Sequence, residues 1–171
     1  MCFLLAGQIH GQTGTAQLTI SMTVQSSISL IFQNNPSVGT NGFCPLTNSG
    51  TNNVGLDLGT ASFTGGASLA CVAYSHVGPA TYQVSSAFDV VVTKANSSSP
   101  NYRLAAEISA APPANVTWLV NNITLTNTAF TALDANDNYA TTITKTLQVQ
   151  VKNSVSPQVL AETITFLATA N

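Results

Sequence analysis

Charge is the scarcest thing in this chain: Asp, Glu, Lys and Arg together make up 6 % of its 171 residues, against about 25 % in ordinary globular domains. The four bases, Lys94, Arg103, Lys145 and Lys152, are scattered. A protein that neutralises nucleic-acid phosphates needs its cations clustered, so this composition argues against nucleic acid as a partner. No apolar run approaches the roughly 20 residues of a membrane-spanning helix. Aromatics are few at 7 % and do not recur at strand ends, which argues against the aromatic girdles of a membrane β-barrel. Helical periodicity is almost missing as well.

Catalytic material is equally thin. Of two histidines, His10 lies near the start and His76 in Tyr74-Ser-His-Val-Gly78, read as a turn after a strand. No Gly-x-Ser-x-Gly elbow is present; the nearest run, Gly66-Ala-Ser-Leu-Ala70, lacks the second glycine. The six acids stand alone, with no motif that pairs two of them across a cleft. No Cys/His set fits zinc. The expectation is that the chain is not an enzyme and holds no cofactor.

What the chain does have is alternation. Hydrophobic residues make up 44 %, enough for a folded core. They recur at every second position, the pattern of a strand with one buried and one solvated face. Ala16, Leu18, Ile20, Met22 and Val24 begin the series, and Ile28, Leu30 and Phe32 resume it after Ser26-Ser27, where a bend or bulge is expected. A long Asn/Gly/Pro/Ser-rich loop over 33–53 follows. Strand-like runs then come at Val54–Leu58, Ser68–Tyr74, Thr81–Val84, Phe88–Lys94, Tyr102–Ser109, Val116–Leu119, Ile123–Thr126, Thr142–Val151 and Glu162–Thr169. Turn clusters separate them, among them 134–138. This pattern predicts an all-β, two-sheet antiparallel sandwich in a single domain over residues 13–171. Trp118, between Val116 and Val120, reads as a core plug more readily than as a sugar-stacking platform.

Residues 1–12 open on a short apolar run and are read as the remnant of a secretory signal, cut between Gly11 and Thr15; an ordinary apolar first strand is the alternative. With Cys2 in the leader, Cys44 and Cys71 remain, an even pair that in an exported protein points to a disulfide; two buried thiols are the other reading. Asp134, Asn136 and Asn138 present oxygens at alternate positions, as a calcium loop does. Tyr139 and Lys145 occupy places where an EF-hand has Gly and Glu, so an Asx-rich turn competes with the metal reading. The sequons at Asn96, Asn115 and Asn122 carry little weight in so Asn- and Ser/Thr-rich a chain.

Both ends of the domain alternate, the first as Ala16, Leu18, Ile20, Met22 and Val24, the last as Ile164, Phe166, Ala168 and Ala170. A terminal strand leaves a sheet edge that an arm from another subunit can complete. Residues 13–24 are therefore a candidate donor arm; pairing within their own sandwich is the alternative.

The opening Leu18-Thr-Ile-Ser-Met-Thr-Val-Gln-Ser-Ser-Ile-Ser-Leu-Ile-Phe32, the low-charge Ser/Thr/Asn-rich body and the ending Glu162-Thr-Ile-Thr-Phe-Leu-Ala-Thr-Ala-Asn171 resemble secreted bacterial fimbrial subunits, the chaperone–usher pilins and spore-coat-U-like proteins. The resemblance implies an Ig-like sandwich with one disulfide that polymerises by donor-strand exchange. Two features depart from it: Cys44 lies beyond the first strand, and Ala168-Thr-Ala-Asn171 has no aromatic residue. The functional expectation is a structural subunit of an extracellular or cell-surface fibre, pilus or coat, self-associating into a homopolymer. A secreted module binding carbohydrate or a surface glycan through Tyr74, Tyr82, Tyr102, Tyr139 and Trp118 is the alternative. A jelly-roll capsid protein fits the composition less well, and an enzyme comes last.

Overall fold

In the computed structural model of the chain, residues 21–22 and 27–171 are described. The expected leader (1–12) and, within the expected arm, Ala16, Leu18, Ile20 and Val24 lie outside the described residues; Met22 lies within them and is exposed.

The described chain is all-β, with no helix. The first sheet contains β1 (Ser27–Gln33), β6 (Ala73–Gly78), β7 (Thr81–Ala95), β9 (Val116–Val120), β10 (Ile123–Thr124) and β12 (Thr142–Lys152). Its order is β1-β7-β12-β9-β10, with β6 also paired to β7. The second sheet contains β8 (Asn101–Ile108), β11 (Thr131–Asn138) and β13 (Ile164–Ala170) in the order β11-β8-β13. Two ribbons, β2 (Leu46–Thr47) with β3 (Gly55–Leu56) and β4 (Ala61–Ser62) with β5 (Gly66–Ala67), decorate the connection between β1 and β6. All pairings are antiparallel. The sheets bury alternate side chains against each other: Val84, Phe88, Val90, Val92, Leu147 and Val149 from the first meet Tyr102, Leu104, Ala106 and Ile108 from the second. The expected antiparallel sandwich is the observed fold, and Trp118 sits in its core at 7 % exposure.

β7 organises the first sheet. It runs unbroken through 15 residues where the sequence reading placed two strands, 81–84 and 88–94. Along one side it pairs with β12 over Thr81–Val91; along the other, β6 takes Thr81–Ser85 and β1 takes Asp89–Ala95. The gap between β6 and β1 is filled by the loop that carries Cys44. Cys44 N–H donates to Ser86 Oγ at 2.8 Å and Ala87 N–H to the Gly42 carbonyl at 2.7 Å. Gly42 adopts φ +88°, a conformation that costs a side-chain-bearing residue dearly. The serines at 85 and 86 mimic a break, but Ser86 is a buried anchor for this loop.

Three further segments depart from the sequence reading. The strand expected over 68–74 begins at Ala73, because a turn closed by Val72 N–H on the Leu69 carbonyl occupies the preceding residues. His76 consequently lies inside β6 and not in a turn. The Asx-rich run 134–138 is the latter half of β11 and not a turn. Asn121 and Asn122 make the β9–β10 hairpin turn, both at positive φ (50° and 65°), as a two-residue turn compatible with strand twist requires.

Candidate functional site

The Cys44–Cys71 disulfide is present, with Sγ–Sγ 2.07 Å and Cα–Cα 4.8 Å. It ties the filler loop to the approach to β6, and the Cys71 carbonyl accepts from the Gly42 and Phe43 N–H groups at 2.6 and 3.0 Å. A loop of this length is held down by that combination.

The sandwich is open along one side, between β1 and β13. Ile28, Leu30, Ile164 and Phe166 line the opening and are half-buried. A cleft of about 440 Å³ there shares Phe32, Ile164 and Phe166 with a second of about 460 Å³ that continues toward Leu46 and Trp118. Three phenylalanines form the floor: Phe32, Phe88 and Phe166 meet edge to face at centroid distances of 5.2–5.9 Å.

The backbone along this opening follows from the ladders. On β13 the Thr163 carbonyl accepts from Ser109 N–H, and Asn171 N–H donates to the Asn101 carbonyl. Antiparallel strands alternate bonded and non-bonded pairs, so the odd-numbered residues bond to β8. Ile164, Phe166 and Ala168 therefore point their N–H and C=O groups away from β8, into the opening. On β1, Phe32 bonds outward to Thr51 and Gly50, at 2.8 and 2.7 Å, which places the backbone groups of Ile28 and Leu30 on the same open side. Among the described residues no strand pairs with the outer edge of β13.

The remaining edges are protected. β10 has two residues, β11 carries two register shifts, and β6 is covered by the neighbouring ribbon. In that cover Tyr74 Oη donates to the Ser62 and Phe63 carbonyls, and His76 Nε2 lies 2.9 Å from the Phe63 carbonyl. Short, bulged or covered edges are how sheets avoid unwanted pairing. β13 has none of these devices.

Each side chain of the expected calcium loop has a protein partner of its own. Asp134 forms an ion pair with Lys145, Asn136 Oδ1 accepts from Asn171 Nδ2 at 2.7 Å, and Asn138 Oδ1 accepts from Asn101 Nδ2 at 2.8 Å. No group of three or more His, Cys, Asp or Glu capable of holding a metal is found among the described residues. Instead the segment contributes to an ionic cluster around the buried Lys145 that sequence reasoning missed, in which Asp134 stays 24 % exposed and Asp137 is half-buried. Lys145 is 2 % exposed and stands at a core-facing place in the alternation Ile143, Lys145, Leu147, Val149, Val151. Asp134 lies opposite Leu104 and Asp137 opposite Tyr102. Directly opposed residues share a face, and Leu104 and Tyr102 are fully buried, so both acids face inward. Residues three apart on a regular strand face opposite ways; the register shift between 134 and 137 brings them to one side. Burial raises the Asp137 carboxyl above its usual range, the Asp134 charge and a hydrogen bond with Asp134 reinforce this, and Lys145 opposes it. Asp137 Oδ2 and the hydroxyls of Tyr102 and Tyr139 are buried without a hydrogen-bond partner.

Of the aromatic residues that a glycan platform would use, Trp118 and Tyr102 are in the core, and Tyr139 packs on Tyr102 at 5.2 Å. Tyr74 and Tyr82 stack on each other at 5.7 Å. The chain matches no family model, no curated protein and no solved structure.

Proposed function

We propose that the chain is an exported structural subunit of a fibre, pilus or surface coat, polymerised by strand addition between copies, in the manner of the fimbrial subunits it resembles. The observation that carries this reading is the open β13 edge. Its outward backbone groups and its half-buried Ile164, Phe166 and Ala168 form an acceptor for one more strand, above a phenylalanine floor. The occupant is residues 16–24 of a second copy. Their apolar residues recur at every second position, as a strand laid over an apolar cleft requires. At about 3.3 Å per residue, a donor of about seven residues matches the seven-residue span of β13. The low-charge surface adds little repulsion between like subunits.

Negative-stain electron microscopy of the unheated full chain beside a chain lacking residues 1–24 tests the reading. Filaments from the full chain and monomers from the shortened one are the expected result. Monodisperse monomers from both contradict it.

A further inference from the structure

The cluster around Lys145 contains the parts of a chemical reaction. An ammonium and a carboxylate are held against each other between the two sheets, Lys145 from β12 and Asp134 from β11. A second carboxyl, Asp137, lies beside the first on the same inner face. Three polar atoms at the site have no partner: Asp137 Oδ2, Tyr102 Oη and Tyr139 Oη. For stability alone this is a poor arrangement. Burying an ion pair costs more desolvation energy than a well-packed apolar pair would, and orphaned polar atoms add to that cost.

We propose that Lys145 and Asp134 condense into an intramolecular amide that covalently joins β12 of the first sheet to β11 of the second, with Asp137 transferring the protons. The ammonium of Lys145 gives one proton to a carboxylate oxygen of Asp134, the freed Nζ lone pair attacks Cγ of Asp134, and Asp137 takes a second proton from the nitrogen. A Cγ–Oδ bond of Asp134 then breaks, and Asp137 returns a proton to the departing oxygen. One ammonium and one carboxylate become one amide and one water, so charge and atoms balance and no oxidant or other reactant is needed. A lysine amine is a competent nucleophile once a neighbouring base deprotonates it. Holding the reacting groups together replaces a bimolecular encounter and is worth an effective concentration of about 10⁵–10⁸ M in well-oriented cases. The raised Asp137 carboxyl retains a proton to a higher pH than an ordinary carboxyl, as a group that both accepts and returns one must. The Tyr102 hydroxyl, which has no partner and is close enough to Asp137 and Asp134 to be raised by their charges, is at hand as a donor to the oxygen of the tetrahedral intermediate. The bond would close the segment between Asp134 and Lys145 and lock the sheets together through β11, leaving β13 free at the other edge.

The test is tryptic mapping of the reduced, denatured wild-type chain by mass spectrometry. Trypsin cuts after Arg103, Lys145 and Lys152 when their side chains are free. The proposal predicts one peptide spanning Leu104–Lys152, uncut after Lys145 and lighter by one water than its sequence. Separate peptides 104–145 and 146–152 at their sequence masses overturn it, as does an uncut peptide at full mass. Asp137→Asn is expected to restore the two separate peptides; a cross-link that forms equally well in that variant overturns the role of Asp137. The wild-type result is decisive even if the variant folds poorly.

Discussion

Trp118 and Tyr102 show how single side chains set the character of this core. Trp118 fills the space between β9 and the cleft, and Trp118→Ala is expected to cost about 3–5 kcal/mol in chemical denaturation, the usual range for an aromatic cavity. Tyr102 is fully buried, and its phenol is pushed up from 10.0 to about 12, by burial first and then by Asp137, Asp134 and Tyr139. Between those values the folded chain holds a proton that the unfolded chain releases, so stability should fall as pH rises from about 10 toward about 12. Tyr102→Phe removes this dependence and an orphaned hydroxyl together. Its unfolding midpoint should be unchanged or higher at neutral pH and flatter across that alkaline window, while a wild-type slope retained in the variant would assign the effect to another group. Lys145 was legible in the sequence, because a lysine in a core place of a period-two run needs a partner. Its partners could not be read, since Asp134 and Asp137 share a face only through a bulge.

At the scale of elements, the long alternating runs were legible because each strand has one buried and one solvated face. Val116–Val120 and Thr142–Lys152 fall close to where alternation placed them. What alternation obscured was context. Ser85-Ser86 looks like an interruption and is the anchor of a loop bound to an otherwise continuous strand. The run 134–138 has the composition of a turn but is held as an edge strand by its ladder with β8. The pairing of Cys44 with Cys71 was inferred from cysteine parity; its role in closing the gap beside β7 needed the fold. Cys71→Ser should lower stability by about 2–5 kcal/mol, measured by denaturant titration. If the account of the filler loop is right, amide exchange should rise at Cys44 and Ala87, whose N–H bonds depend on the tethered loop.

For the molecule as a whole, the sandwich class followed from strand spacing, but the position of its opening did not. Both terminal strands alternate, and only the fold places β1 and β13 on either side of one cleft. Three sheet edges are short, bulged or covered, and the remaining two, β1 and β13, border the cleft with outward backbone groups above an apolar floor. That asymmetry is the basis for reading the chain as a unit of assembly. The most direct test labels the chain lacking residues 1–24 with ¹⁵N and mixes it with unlabelled full-length chain. Amide hydrogen exchange is then followed at Ile164, Phe166 and Ala168 of the labelled copy. That copy has no arm of its own, so any strand on its β13 must come from a neighbour. The account predicts that these three amides become protected on mixing. Exchange at the same rate with and without the full-length chain would contradict it.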